Sequence, residues 1–540
     1  MTGQPPAEAG QRRSRVPQRR FTDASPADQL LELSDDPLTR RLSDARARLG
    51  SDPYRPLYHF ASPEGRMNDP NGLCHWQGRW HLFYQGYPPE DPRQHWGHAV
   101  SADLVHWVDL PYAIHPDPEQ AVFSGSTLVE QDRVVAMYHG AGVGNMVAIS
   151  GDPLLLNWEK LTGAPVIPLG DPADRSRPYS VFDPTIWRKD GTYYSLSAGK
   201  AGTGPGGRDV ATGSLFRSAD LVSWEYVHEF VEGDRFTGID DDYACPYFLP
   251  IADRYVLLFY SHATGGQYLL GDYDEARDTF VCTHAGKFNF GASTPAGVHA
   301  PSATTFGDGS VVVVFNMNAG RPTGEWDQVM TLPRVLRLGD HHELRQEPVA
   351  QVESLRGEPA RVDHLVLPAN EEVVLPGVGG DALELALQIA TTGAASVEVK
   401  VLRSRDSEEY TRILFLRDRG TGSGRDYGRG TPPPPGDPLR NSVITVDTSH
   451  ASLDAAARSR PPETAALRLR SDEDLELRIF VDRSVVEVFA NGRQALAVRV
   501  YPSRPDAVGV SLRSRGSPSE LVSATVWPMK SAFDRTVSTV

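Results

Sequence analysis

Three cysteines in 540 residues, Cys74, Cys245 and Cys282, are too few for a disulfide framework, and their spacing lacks the paired CxxC form of a structural zinc site. Free thiols in a reducing compartment are the simpler reading. No apolar run approaches the ~18 to 20 residues that a membrane-spanning helix needs, which predicts a soluble chain with no membrane partner. Basic charge is also short: the formal net charge is −16, the opposite of what a phosphate-backbone binder requires. Nucleic acid is therefore set aside as a partner. The arginines Arg12, Arg13, Arg15, Arg19 and Arg20 are followed by Phe21-Thr22-Asp23-Ala24-Ser25-Pro26, a polar stretch. A secretory signal would place an apolar segment of about 7 to 15 residues there. The expectation is a cytoplasmic protein.

What is present is ample core material, 40% hydrophobic residues against 23% charged ones. Residues 1–50 read as a disordered or helical tail: Met1 to about Pro26 is too poor in large apolar residues to fold alone, and Leu30 to Leu49 has the spacing of one helix. From Tyr54 onward, short apolar runs alternate with Gly, Asp, Pro and Asn, the punctuation of an all-β chain.

One strand type recurs, at Arg79–Tyr84, Arg133–Tyr138, Thr192–Leu196, Arg254–Phe259 and Ser310–Phe315, with starts 54, 59, 62 and 56 residues apart. A second repeat pairs Ser101-Ala-Asp-Leu-Val-His-Trp107 with Ser218-Ala-Asp-Leu-Val-Ser-Trp224, with Leu154-Leu-Leu-Asn-Trp158 between them. Such a period suits one four-stranded blade with long loops. The reading is a five-bladed β-propeller over 51–345, whose inner strands line a central funnel. The period stops near Val349; after a linker over 346–370, alternating strands such as Leu475–Val481 and Ser484–Phe489 predict a β-sandwich over 371–530. Thr431-Pro-Pro-Pro-Pro-Gly436 reads as a stiff surface loop, and glycine-rich 202–207 as a flexible loop without the helix that would cradle a phosphate.

A funnel brings side chains from several strands to one point, so acidic residues near strand starts are the candidates. Asp69 lies in Asn68-Asp69-Pro70-Asn71-Gly72, and Asp183 in Phe182-Asp183-Pro184; each Asp-Pro precedes an apolar strand. Asp240, Asp241 and Asp242 are adjacent, and mutual repulsion raises at least one pKa if they are close and desolvated. Each segment is also an ordinary turn or solvated loop. His95 and His98 lack the carboxylate partners of a metal site and read as packing residues.

Met67-Asn-Asp-Pro-Asn-Gly72, Phe83-Tyr-Gln85, Trp96-Gly-His-Ala-Val-Ser101, Asp103-Leu-Val-His-Trp107, Ser124-Gly-Ser126, Trp326-Asp-Gln-Val-Met330 and Phe480-Val-Asp-Arg-Ser-Val-Val-Glu-Val-Phe489 together resemble glycoside hydrolase family 32, the invertase, inulinase and levanase group. The resemblance spans about Tyr54 to Pro528. It implies a propeller followed by a sandwich, no metal or organic cofactor, a small carbohydrate substrate such as sucrose or a short fructan, and retaining hydrolysis of β-fructofuranosides. The sandwich is expected to support the propeller and to offer homodimer contacts. Asp69 matches the family's nucleophile and Asp183 the aspartate that holds fructose hydroxyls; Asn68, Gln85, Trp96 and Ser124 match positions lining the sugar pocket.

Two departures stand out. Phe182 replaces the arginine usual before Asp-Pro. Ala244, before Cys245-Pro246, replaces the acid/base glutamate, and alanine transfers no proton. In an extended strand Asp242 points to the same face as Ala244, which makes it the expected replacement acid; Asp241 reaches only if a bulge shifts the register. The alternatives are a sugar-binding relative without turnover, an introduced inactivating alanine, and a propeller glycosidase acting on another furanoside.

Overall fold

Tight turns with left-handed residues set the strand pairing. Gln77-Gly78, Asp190-Gly191 and Asn491-Gly492 carry φ of 44° and 83°, 49° and 82°, and 50° and 60°. The first two are two-residue turns and the third opens a three-residue loop before Gln494; left-handed turns of this kind match the twist of the strands they join. A computed structural model describes residues 13–170, 177–292, 294–339, 342–391, 394–417, 440–470 and 472–535. The Thr431–Gly436 loop lies outside them. Among the described residues, the strands form seven sheets.

The first five sheets follow one another along the chain. Their leading strands are Arg66–Trp76, Val122–Val129, Pro184–Lys189, Ala244–Ile251 and Val298–Thr305, and each lies at an edge of its sheet. These five strands touch in a closed cycle, the last against the first. This is the propeller. The recurrent strand of the sequence is the second in every sheet, running antiparallel to the leading one.

The second sequence repeat is a repeated turn. Asp103 Oδ1 accepts from the amides of Val105 (3.0 Å) and His106 (2.8 Å), and Asp220 Oδ1 from those of Val222 (2.9 Å) and Ser223 (2.8 Å). Asp152 makes a longer version of the turn, receiving the Leu156 amide on Oδ1 and the Asn157 amide on Oδ2. In each copy one leucine, Leu104, Leu155 or Leu221, is left-handed, with φ between 51° and 70°. The aspartate satisfies the amides that this reversal frees.

Two six-stranded sheets follow, one holding Ala382–Ala390 and Leu475–Asp482, the other Ser396–Arg403 and Glu463–Leu469. Leu385, Ile479 and Val488 of the first pack against Val399, Ile413 and Val446 of the second. Glu463–Leu469 alternates buried and exposed residues along its whole length, as a strand with one wet face must.

The N-terminal segment differs from its sequence reading. Residues 13–25 lie on the propeller: Val16 and Phe21 are buried, and the Phe21 amide donates to Asn157 Oδ1 at 2.9 Å. Two large side chains borrowed by an existing surface suffice where a free segment would fail. The expected single helix is two, Pro26–Asp35 and Pro37–Leu49. Pro37 disfavours helical geometry at Asp36, which instead caps the second helix through Thr39 N at 2.9 Å. Among the described residues no helix is long and apolar enough to cross a membrane.

Candidate functional site

Side chains at the start of the leading strands converge. Four of those five strands carry a register shift there: between Met67 and Pro70, Val122 and Gly125, Ala244 and Tyr247, and Val298 and Pro301. The residues inside the shifts include Asp69, Ser124, Cys245 and His299. A bulge releases a side chain from strict alternation and re-aims it. Proline after Asp69 and Cys245 removes a ladder donor at the same point. Asp183 sits just before the remaining leading strand, Pro184–Lys189, also ahead of a proline.

Asp69 is buried and its carboxylate is surrounded by donors. Ser124 Oγ donates to Oδ2 at 2.7 Å and Gln85 Nε2 at 3.3 Å, while His299 Nδ1 lies 3.1 Å from Oδ1. Gln94 Nε2 orients Gln85 through its Oε1 at 2.9 Å. The Cys245 thiol lies 3.6 Å from Asp69 Oδ2 and 3.5 Å from Asp183 Oδ2, and the Cys245 amide donates to the latter at 3.1 Å. Cys245 is itself left-handed, φ 51°, a strained geometry held by the surrounding structure.

Burial and charge push the two carboxyls apart. Desolvation alone would raise Asp69, but the bonds from His299, Ser124 and Cys245 outweigh it and hold it below the usual aspartate value. Desolvation, and then the negative charge of Asp69, push Asp183 up to about 7. The pair therefore titrates as a unit, one carboxylate and one carboxylic acid near neutrality. Desolvation and both aspartates push the Cys245 thiol well above its usual value, so it remains a neutral donor between them.

Of the expected pocket residues, Gln85 and Ser124 touch Asp69. Asn68 belongs to a separate amide cluster: its Oδ1 accepts from Gln328 Nε2 (3.1 Å) and Asn316 Nδ2 (3.3 Å). Trp96 pairs with Gln85 across the ladder. It is fully buried, stacks on Phe83, and spends its indole N–H on the Phe123 carbonyl at 2.9 Å, so it braces the Ser124 strand. Phe182, in place of the arginine, packs on the ring of His139. His95 and His98 make separate contacts, with Ser14 Oγ and His81 respectively.

The replacement of the glutamate by Asp242 is corrected by geometry. Regular strand begins only at Ala244, so alternation from Asp242 does not apply. Ala244 is fully buried beside Cys245, Tyr260 and Ala300. Asp242 instead accepts from the amide and Nδ1 of His262, at 3.0 and 2.9 Å, with Lys200 Nζ 3.7 Å away. Burial opposes its ionisation, but His262 outweighs that and the carboxyl is held below its usual value, the wrong direction for a proton donor. Asp241 is occupied too, accepting from Ser261 Oγ (2.5 Å) and Thr264 Oγ1 (2.6 Å).

Residues that the sequence left unassigned complete the cluster. Tyr247 OH bonds to Gly72 N (3.0 Å), Gly125 O (2.9 Å) and Ser302 Oγ (2.9 Å), tying three leading strands to a fourth. A signal for Cys245 was present: Cys245-Pro246, like Asp69-Pro70 and Asp183-Pro184, sets a proline directly after the site residue near the beginning of an inner strand. Two open clefts of about 530 and 560 Å³ lie against the N-terminal helices, lined by Arg46 and Arg41 among others, and hold none of these carboxylates. Volume does not locate the chemistry here.

Gly125 next to Ser124 admits no side chain: an added Cβ would lie 2.2 Å from Met137 O and 2.5 Å from the Tyr138 Cα, both backbone. Gly125→Ala is expected to cost about 1–3 kcal/mol by overpacking, read as a lower thermal unfolding midpoint. An unchanged midpoint would show that the two strands slide apart freely.

The sequence matches the model of the glycosyl hydrolases family 32 N-terminal domain over residues 59–348 and that of the family's C-terminal domain over 351–528. Levanase of Bacillus subtilis (strain 168) is 28% identical over 525 residues, covering 89% of this chain and 71% of that one. Sucrose-6-phosphate hydrolase of Escherichia coli is 28% identical over 508 residues, covering 88% and 95%. Among solved structures, fructan 1-exohydrolase IIa from Cichorium intybus superposes with a TM-score of 0.75 at 21% identity, over 89% of this chain and 98% of that one. Sucrose-6-phosphate hydrolase from Lactobacillus gasseri gives 0.71 at 22%, over 92% and 97%.

Proposed function

The chain belongs to glycosyl hydrolases family 32 and is a glycosidase, and from that premise we propose that it cleaves β-fructofuranosides, sucrose or short fructans, by retaining double displacement. The observation that carries this reading is the pair of buried carboxyls, Asp69 ionised and Asp183 protonated near neutrality, meeting at one thiol. Asp69 attacks the anomeric carbon and forms a fructosyl ester; water then releases the sugar. Asp183 holds sugar hydroxyls and supports the charge that develops on the ring. Gln85 and Ser124 fix the nucleophile, and Asn68, held by Asn316 and Gln328, contacts the sugar. We read the five sheets as five blades, with the propeller over 51–345, a linker over 346–370 and the sandwich over 371–530. The sugars named for the relatives support the substrate class.

The test is an NMR time course of the protein with sucrose and 1-kestose. Release of fructose with the β-furanose anomer first is the expected result. The α anomer first would replace retention by inversion. Broadened ligand signals without release would make the chain a binding protein.

A further inference from the structure

The residue that stands where a proton donor is needed has no proton, so the donor must come from an adjacent position. Ala244 pairs with Tyr260 across the antiparallel ladder. Asp242, two residues before Ala244, and His262, two residues after Tyr260, lie just outside the two strands and are joined by the pair of hydrogen bonds already described. His262 thus lies two residues beyond Tyr260, the cross-strand partner of the vacated position. Its Nδ1 faces Asp242, which fixes the tautomer and leaves Nε2 as the outward nitrogen. The side chain is 56% exposed, and among the described residues Nε2 has no hydrogen-bond partner. Its ring stands edge-on to Tyr260, with centroids 5.4 Å apart, and to His299, 6.5 Å apart; His299 in turn touches Asp69.

We propose that His262, positioned by Asp242, is the general acid/base of this enzyme and replaces the glutamate missing at Ala244. The inference rests on the β-fructofuranosidase reading. An imidazole places its outer nitrogen about as far from the backbone as a glutamate places its carboxyl, a reach that aspartate lacks. In the first step an Asp69 oxygen bonds to the anomeric carbon. The carbon–oxygen bond to the leaving group breaks, and its electron pair takes the proton from Nε2–H, leaving imidazole neutral. In the second step Nε2 takes a proton from water as the water oxygen bonds to the anomeric carbon. The ester bond breaks and its pair returns to Asp69. No oxidant or metal is consumed, and the catalyst is restored.

The electrostatics support the acid form. The hydrogen bond that His262 donates to Asp242 is the largest influence on it; that bond and the charges of Asp242 and Asp69 outweigh burial and raise the imidazole above its ordinary value. Lys200, near Asp242, and His299 complete the titratable groups facing it. The imidazolium therefore persists above pH ~6.5 and is lost as pH rises through the raised value, which sets the basic limb of activity.

The experiment compares wild type, His262→Ala and His262→Gln on sucrose, whose leaving group needs a proton, and on β-fructofuranosyl fluoride, whose leaving group needs little help. The expected result is a loss of about 10²- to 10⁴-fold on sucrose, a far smaller loss on the fluoride, and disappearance of the basic limb. Asp242→Asn is expected to move that limb to lower pH while the imidazole still works. Retained sucrose turnover with an unchanged basic limb in both His262 variants would overturn the proposal. So would the same split between substrates in Asp183→Asn and not in His262→Ala. Wild type inert on both substrates would instead overturn the β-fructofuranosidase reading.

Discussion

Asp69→Asn is expected to lower kcat on sucrose by about 10⁴- to 10⁶-fold, the scale of loss when a covalent nucleophile is removed. The amide keeps the shape of the side chain but cannot form the ester. The fold is expected to survive, because the neighbouring Asp183 is destabilised by the Asp69 charge. Asp183 is raised to about 7, chiefly by desolvation and next by the charge of Asp69. A carboxyl raised in the folded state contributes stability below its unfolded pKa of ~3.9, and that contribution is lost as pH rises through about 7. Removing the Asp69 charge lets Asp183 fall back toward its ordinary value, so that loss becomes smaller. The Asp69 charge, held below its ordinary value, contributes stability above pH ~3.9 that the variant loses, so the two effects oppose and Asp69→Asn should stay close to wild type in thermal unfolding at pH 8 while being inactive. Activity near wild type would end the assignment of Asp69; a collapse of stability at pH 8 would show that the four donors around it need a charge.

What the sequence disclosed and what it hid follow from separation along the chain. Asp69 and Asp183 were legible because proline beside each one marks a strand start, and the five-fold period marks where inner strands begin. The turn repeats were legible because three residues, Asp, Leu and Trp, act within one loop. Asp242 was misjudged by assuming extended backbone where the strand had not begun. His262 is 20 residues from Asp242 and His299 is 230 from Asp69. Both meet their partners only through sheet pairing, and neither lies in a local motif.

Glu487→Gln is expected to destabilise the protein by about 3–5 kcal/mol, the cost of breaking a fully buried ion pair from one side. The Phe480–Phe489 segment belongs to the sandwich, yet its polar residues face the chain that leads into the first propeller strand. Asp482 accepts from the amides of Leu57, Tyr58 and His59 at 2.6 to 2.8 Å, and the His59 ring bridges Asp482 Oδ2 (2.9 Å) and Glu487 Oε2 (3.1 Å). Glu487 also binds Arg334 Nη2 and the Leu332 amide, each at 2.7 Å. The side chains of His59, Asp482, Arg334 and Glu487 are all fully buried. Neutral glutamine would leave the Arg334 guanidinium without its counter-charge in the same dry space. Desolvation opposes the charged form of His59, but the two carboxylates outweigh it and raise the imidazole to about 8. That linkage stabilises the fold fully below pH ~6.5 and is lost as pH rises through about 8. Losing one of the two carboxylates lowers His59, so the decline in stability across this window should be shallower in the variant. Phe60, next to His59, accepts the Met330 amide at 2.7 Å, and the chain runs on through Met67 to Asp69. The clamp thus anchors the segment that delivers the nucleophile, and Glu487→Gln should lose activity on heating sooner than wild type while retaining turnover at 25 °C. Urea titrations at pH 6 and pH 8.5 read both effects. Equal midpoints for variant and wild type at pH 6 would show that the sandwich does not brace the catalytic strand through these charges.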